Sequence, residues 1–327
     1  MNKFCYLSGF DRNSLHVLPK QAKALQYAGY EVTIIVSDNK SDDIIDGIRV
    51  VGSGAKRSLY TDRLFRVPNL LYKKALEIDA DGYQTCDLGN VWACIRLKRK
   101  GKRIFFDFLE GHPYTLEEKI RAPRIVIKTI IKLLEKYLGL VLKRFDAVFA
   151  VTGEILDYLN KWGVKKTHLL TNYPEVNENY SLSYEDYCNR TPAVLYFGAI
   201  YGISRQEVVF DALAQCPNVH YILAGIFGDA EICQYQLDLQ QHPYWKEVEF
   251  INGFPRSELP SIIARATIGN VLRDFSQMPG TRNGSLGVIK IFETMEAGLP
   301  ILCSDVPVYR EIFKKYNCGI FTRTPYV

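Results

Sequence analysis

The chain reads as an α/β protein made of two Rossmann-like halves, each a parallel sheet with helices on both faces. Three observations carry this reading. Strand-like apolar runs and helix-periodic runs alternate from residue 4 to about residue 170, the pattern of βαβ units. The polar, aperiodic stretch 171–192 interrupts the alternation, as a linker does. The alternation then resumes and continues to residue 322. A chain of 327 residues has room for two such domains. We place them at 1–172 and 193–327, joined by a linker at 173–192.

In the first half, 4–7 is apolar and β-rich, and 32–36 is apolar but for Thr33, as suits a strand buried on both faces. Between them 14–28 has helical periodicity and is closed by Gly29. A helix over 64–78, a strand over 82–85, a helix over 91–99 and a strand over 103–106 follow. Pro123 suits the first turn of a long helix reaching Arg144. A strand over 147–151 and a helix over 154–162, closed by Gly163, complete the half. The second half has strand-like runs at 194–197, 219–223, 248–251, 267–272, 301–303 and 319–322. Helices at about 205–215, 229–240, 256–265, 286–297 and 307–315 separate them. Ligands of open α/β sheets bind at the carboxyl ends of the strands. Two such halves facing each other would hold a ligand in the cleft between them.

Composition narrows the function. Hydrophobic residues at 47% and charged residues at 24% fit a soluble globular protein, and the longest apolar runs are far short of a membrane span. The first residues turn polar too soon for a secretory signal, so a cytoplasmic location is expected. Eight cysteines form no Cys-x-x-Cys and read as buried reduced thiols. Five scattered histidines form no His-x-x-x-His pair, so neither a protein-held metal nor another cofactor is expected. The net charge of +5 is concentrated: residues 119–144 carry eight Lys/Arg against one acid, Glu135. This points to one basic element and away from general nucleic-acid binding. Arg124, Lys128, Lys132 and Lys136 recur at four-residue spacing, while Val126, Ile130, Leu133, Leu134, Tyr137, Leu138 and Val141 are expected to cover the core side. That face is either plainly solvated or binds an anionic membrane surface.

Two segments carry chemistry. Gly284-Ser285-Leu286-Gly287-Val288 is a glycine-flexible loop leading into a helix. A helix N-terminus offers unpaired N–H groups and partial positive charge to a phosphate. Glu293, about two turns into the stretch 286–297, could accept hydrogen bonds from sugar hydroxyls. An ordinary βα unit with surface charges shows the same local pattern. Tyr196-Phe197-Gly198-Ala199-Ile200-Tyr201-Gly202-Ile203-Ser204-Arg205 is strand, glycine loop, then an arginine at a helix start. Gly198 permits close backbone approach and Arg205 offers a fork of donors to phosphate oxygens, although a tight turn with an exposed arginine reads the same way. No Gly-x-Gly-x-x-Gly follows either first strand, which argues against a dehydrogenase.

Gly198…Arg205, Gly253 with Glu258-Leu259, Lys290-Ile291-Phe292-Glu293-Thr294-Met295-Glu296-Ala297-Gly298-Leu299-Pro300, and Val306–Ile312 with Asn317-Cys318-Gly319-Ile320 resemble the donor domain of a retaining GT-B glycosyltransferase. The similarity is to family 4-like enzymes of bacterial capsule, exopolysaccharide and O-antigen assembly. Residues 79–88, 106–110 and 170–174 resemble acceptor-domain strands of that family more loosely. The resemblance implies a nucleotide-sugar donor, a polyprenyl-diphosphate-linked or other glycan acceptor, and transfer with retention without an assigned enzyme nucleophile. It implies Arg205 and Lys290 as the catalytic cations on the diphosphate. Gly198, the backbone at Gly284, Ser285, Leu286, Gly287 and Val288, and Glu293 on the ribose would complete the donor site. On the acceptor side it points to Gly9, Asp87, Glu110 and His112.

The chain departs from that family's pattern in three ways. Ser285 stands at the first position of the family's Glu-x7-Glu motif. Gln84, Cys86 and Leu109 stand where related acceptor domains often carry histidines, leaving Asp87, Asp107 and Glu110. His16 and His112 are the available substitutes. The family's closing helices beyond Cys-Gly-Ile are not expected within a chain that ends at Val327, so a shortened C-terminus is anticipated. These departures keep a second reading open, a homologue that binds nucleotide or a partner protein without turnover. A sugar-nucleotide epimerase is disfavoured by the scarcity of histidine.

Overall fold

The structure is a computed structural model. It describes all residues except 1, 13–17, 56–61, 63–64, 110–121, 175–182, 229, 278–287 and 323–327. The chain divides into two compact units, Met1–Asn172 and Tyr173–Val327.

The first unit contains strands β1 (Lys3–Leu7), β2 (Glu31–Val36), β3 (Asp43–Ile45), β4 (Ile48–Gly52), β5 (Gly82–Thr85), β6 (Arg103–Phe108), β7 (Ala147–Ala150) and β8 (Thr167–Leu169). They form one sheet in the order β3-β4-β2-β1-β5-β6-β7-β8. Every pairing is parallel except that of β3 with β4. Helices α1 (Leu18–Tyr27), α2 (Arg66–Ile78), α3 (Val91–Lys98), α4 (Arg124–Leu142) and α5 (Gly153–Lys161) are interspersed. One sheet face, with Leu7, Tyr83, Phe106 and Val148, packs on Leu71, Leu97, Leu142 and Leu159. The other, with Tyr6, Ile34 and Val50, packs on Ala22 of α1. The alternating burial of successive strand residues against two helix layers is why the central runs are largely apolar.

The second unit contains α6 (Tyr184–Cys188), β9 (Ala193–Phe197), α7 (Gln206–Leu213), β10 (His220–Gly225), α8 (Ala230–Gln241) and β11 (Val248–Asn252). It continues with α9 (Leu259–Ile263), β12 (Ile268–Val271), α10 (Ile289–Glu296), β13 (Ile301–Ser304), α11 (Pro307–Tyr316) and β14 (Gly319–Thr322). Its strands are all parallel, in the order β11-β10-β9-β12-β13-β14. This is the doubly wound Rossmann order, in which the chain works outward from β9 to β11 and then resumes on the other side at β12. Both units are therefore the Rossmann-like parallel sheets that the alternation of elements implies.

Four local differences from the sequence reading have physical causes. The hairpin β3–β4 had no counterpart in the pattern of long alternating runs; it turns at Asp46 and Gly47, both with positive φ (51° and 80°), as an Asp-Gly hairpin turn requires. Part of the stretch read as linker is ordered: Ser183 caps α6 by accepting from the Asp186 N–H, and Tyr187 Oη donates to the Thr267 carbonyl at 3.0 Å. On α4, the residues buried are Ile127, Ile131, Leu138, Val141 and Leu142, whereas Ile125, Val126, Leu133, Tyr137 and Leu140 are exposed on the side that carries Lys128, Lys132 and Lys136. The helical phase is rotated because a one-sided contact needs only a narrow apolar stripe. Finally, of the cysteines expected to be buried, Cys5, Cys94 and Cys303 are, but Cys188 and Cys216 are exposed; all of these are free thiols.

Candidate functional site

The carboxyl ends of β9 and β12 flank the point where the second unit's strand order reverses, the place at which such sheets bind ligands. Gly198 follows β9 with φ 103°. Its N–H donates to the Ala224 carbonyl at 2.8 Å, and a Cβ built on it would lie 2.8 Å from Lys290 Cε. Glycine is required here for two reasons, the left-handed backbone and the lysine lying across it. Lys290 Nζ sits 3.7 Å over the Tyr196 ring, a cation–π contact. Burial, then the nearby Arg273 guanidinium, hold the Lys290 ammonium well below the ordinary lysine pKa.

The reach of Lys290 follows from how α10 is seated. A Cβ at Gly269 on β12 would lie 2.2 Å from Thr294 Cγ2, so the helix packs directly on the strand backbone. Thr294 Oγ1 also donates to the Lys290 carbonyl at 2.7 Å, fixing that turn. Glu293, on the same helix, is 3% exposed. Its carboxylate accepts from Nη2 of Arg256, whose own side chain is two-thirds exposed at 67%. Because α10 begins at Ile289, Glu293 lies one turn from the helix start, not the two turns that the periodicity suggested. Val288, read as part of the phosphate loop, has its side chain in the core with Val271 and Ile291. Gly284, Ser285, Leu286 and Gly287 lie outside the described residues.

Arg205 adopts a left-handed conformation (φ 48°) between a short 3-10 turn and α7. It is not the freely exposed arginine of a plain turn. Its Nε lies 2.7 Å from Glu207 Oε1 and its Nη1 3.6 Å from Asp274 Oδ2, with 19% of the side chain exposed. The backbone there is tied down as well, because the Asp274 N–H donates to the Ile203 carbonyl at 2.7 Å. Behind it, buried Gln206 accepts from Tyr221 Oη; Asn270 Nδ2 donates to that hydroxyl at 3.0 Å, and Asn270 Oδ1 accepts from the Leu272 N–H at 3.0 Å. This chain of amides and a phenol joins the β9–α7 loop to the end of β12. Sequence reasoning passed over Arg256, Arg273 and Asp274, which belong to no motif. The signal available was a charged pair, Arg273-Asp274, directly after an apolar strand on the reversal side of the sheet.

In the first unit the matching reversal lies between β1 and β5. Gly9 and Asp87 meet there: a Cβ at Gly9 would fall 1.8 Å from Asp87 Oδ2. Asp87 Oδ1 accepts from the Gly89 N–H at 2.9 Å. Thr85 and the fully buried Asn90 both donate to the Leu7 carbonyl, at 2.8 and 3.3 Å. The other two acceptor-side residues, Glu110 and His112, and the substitute His16 lie outside the described residues. Nearby, Gln84 Nε2 donates to Gln21 Oε1 at 2.8 Å and Gln21 Nε2 donates to Asp107 Oδ2 at 2.6 Å. Among the described residues no cluster of His, Cys, Asp and Glu is placed to hold a metal ion.

Asp107 is fully buried and its Oδ1 has no hydrogen-bond partner among the described residues. Desolvation raises its pKa to about 6, against a weaker lowering by Gln21. The folded state therefore binds the proton more tightly than the unfolded chain, and stability falls as pH rises from about 4 to about 6. Asp107→Asn removes that dependence. Urea unfolding across pH 3.5–7 should show the parent losing up to ~3 kcal/mol relative to the variant over this window. Parallel curves for the two proteins would refute the assignment.

Residues 189–326 match the family described as Glycosyl transferases group 1. No curated protein sequence matches the chain. Among solved structures, sucrose-phosphate synthase from Thermosynechococcus elongatus superposes with a TM-score of 0.69 at 14% identity, covering 99% of this chain and 86% of that one. Anabaena HepE in complex with UDP and glucose gives 0.68 at 16% identity, with 99% and 86% covered. WaaG, a glycosyltransferase involved in lipopolysaccharide biosynthesis, gives 0.66 at 12% identity, with 100% and 87% covered. The second unit thus carries a domain of the group 1 glycosyl transferases, and over nearly all of its length the chain has the GT-B architecture of these enzymes.

Proposed function

We propose that the protein transfers a sugar, with retention of configuration, from a nucleoside diphosphate sugar to a lipid-linked glycan acceptor in surface polysaccharide assembly. The observation that carries the donor half is the convergence of Lys290 on Gly198 and Tyr196 beside the buried Glu293, at the strand ends where the sheet order reverses. A cation at that place meets the diphosphate, and a carboxylate one helical turn into α10 meets the ribose hydroxyls. As the glycosidic bond breaks, negative charge grows on the leaving diphosphate, and a poorly hydrated cation stabilises it strongly. Arg205, shared with Glu207 and Asp274, serves the same anion from the β9–α7 loop. HepE, which shares the fold, has been captured with UDP-glucose. The protein's own donor is found by thermal-shift screening of UDP-, GDP-, ADP- and dTDP-sugars, since a ligand of the folded state raises the melting temperature. Sugar transfer and donor hydrolysis are then assayed with the hit. Binding without either reaction would instead favour the reading without turnover, consistent with Gln84 and Asp107 being engaged in a structural network.

The acceptor half rests on α4. Among the described residues no helix is long and apolar enough to cross a membrane. Yet Ile125, Val126, Leu133 and Leu140 share the exposed side of α4 with Lys128, Lys132 and Lys136. Apolar side chains interleaved with lysines suit a helix lying in the interface of an anionic bilayer. That attachment brings the enzyme to a lipid-linked acceptor at the inner face of the cell membrane. Co-sedimentation with vesicles of anionic and neutral lipid tests it. At ~1 kcal/mol per basic residue, the triple variant Lys128→Glu, Lys132→Glu, Lys136→Glu should lose about a hundredfold or more in affinity for anionic vesicles. Equal binding to both vesicle types by the parent would refute attachment.

A further inference from the structure

The ion pair between Arg256 and Glu293 is unequal. The Glu293 side chain is buried and that of Arg256 is exposed, yet Arg256 Nη2 donates to Glu293 Oε1. An ordinary surface pair has both ends in water and contributes little. A carboxylate taken out of water needs a partner to remain charged. The other cation on α10 does not serve: Lys290, three residues earlier, has its Nζ 3.7 Å over the Tyr196 ring and its Cε against Gly198.

The loop that carries Arg256 is held beside the same helix. Phe254, two residues before it, and Leu259, three residues after it, both pack in the cluster that contains Ala297 and Leu299, just past the end of α10. Pro255 is the N-cap of a single 3-10 turn, Arg256–Glu258, in which the Glu258 N–H donates to the Pro255 carbonyl at 2.9 Å. The Leu259 N–H donates to the Arg256 carbonyl. Anchored on both sides, the arginine reaches Glu293 from a fixed base.

We infer that Arg256 is a positioning residue for the donor: it keeps the Glu293 carboxylate charged and in one orientation, and so gives the site its preference for a nucleotide with an intact ribose over its deoxy forms. An ionised carboxylate only accepts hydrogen bonds, as ribose hydroxyls that donate to it require. With Oε1 tied to the guanidinium, the group is oriented before the ligand arrives, and less ordering is needed on binding. Without the cation, a carboxylate buried this deeply takes up a proton rather than stay charged. A hydroxyl then meets a neutral group, and such hydrogen bonds are roughly half as strong. The loss falls on the hydroxyl contact, so it shows as lost discrimination and not as a general loss of nucleotide affinity.

This inference rests on the donor-site reading, and calorimetry separates the two. The probes are UDP, GDP and ADP, each with its 2′-deoxy and 3′-deoxy forms. The parent is expected to bind the ribonucleotide about tenfold or more tightly than at least one deoxy form, the effect of one hydrogen bond to a charged group. Arg256→Gln should bring that ratio down to about threefold, the effect of a bond to a neutral group. Arg256→Lys, which keeps the charge, should retain most of the preference. In the Arg256→Gln background, adding Glu293→Gln should change the ratio by less than about twofold, because the two residues act through one contact. Arg256 is exposed, and the double variant leaves no buried carboxylate unpaired, so both are expected to fold; circular dichroism reports it. If Arg256→Gln weakens ribose and deoxy forms alike and leaves the ratio intact, the pair is structural, this inference falls and the donor reading stands. If the parent shows no preference, or Glu293→Gln alone leaves it unchanged, the ribose is not on Glu293 and both fall. If the parent binds none of these probes, both fall.

Discussion

Lys290→Met is expected to lower kcat for sugar transfer by about a hundredfold or more, the scale observed when one preorganised donor to developing charge is removed. Methionine keeps most of the hydrocarbon that lies over Gly198 and Tyr196, so the variant should fold and still present its donor pocket. The loss is expected in kcat more than in KM, for a reason visible in the site. Burial and Arg273 keep the Lys290 ammonium poorly stabilised before the ligand arrives. In the proposed mechanism its interaction with the diphosphate strengthens as that group gains charge, and an interaction stronger in the transition state than in the ground state accelerates the reaction. Single-turnover transfer with the donor chosen by thermal shift measures the step directly. A rate within about threefold of the parent, well under the expected effect, would remove Lys290 from the mechanism.

Glu293→Ala is expected to raise the dissociation constant for the nucleotide sugar about a hundredfold, since a carboxylate can take two hydrogen bonds from a ribose at ~1.5 kcal/mol or more each. The carboxylate is 3% exposed and one turn into a short helix, and the partner it has among the described residues is the exposed Arg256. Its removal leaves Arg256 able to reach water, so the folded state should survive. Glu293→Gln, which keeps the shape and one acceptor, should bind with intermediate affinity. Thermal shift and calorimetry on the three proteins decide. Undiminished binding by the alanine variant would move the ribose elsewhere.

Much of the architecture was legible because parallel strands buried on both faces must be apolar throughout. The runs ending in Val36, Phe197 and Cys303, apolar but for Thr33, could be placed within a residue or two for that reason. The edges were less legible. β8 is three partly exposed residues, Thr167–Leu169, with no apolar run to mark it, and the β3–β4 hairpin depends on the turn chemistry of Asp46-Gly47. The phase of α4 was misjudged because its apolar residues outnumber those the core can take, and the surplus is exposed among the lysines. At the site, Gly198, Arg205, Lys290 and Glu293 were each readable from a local pattern. Their relations were not: that Lys290 crosses Gly198, that Arg205 is shared between Glu207 and Asp274, and that Arg256 meets Glu293 are products of the sheet order. Arg273 and Asp274 acquire meaning only once β12 is known to lie beside β9.

The seating of α10 on Gly269 has a mechanical corollary. No methyl group fits between the β12 backbone and Thr294 without a shift, so the helix lies directly against the strand. Lys290 and Glu293 ride on that one rigid body, three residues apart. In the proposed donor site the distance between the phosphate contact and the sugar contact is therefore set by a single helical turn rather than by two independent loops. On the proposed reading the donor is measured by a ruler whose length is set by the helix backbone.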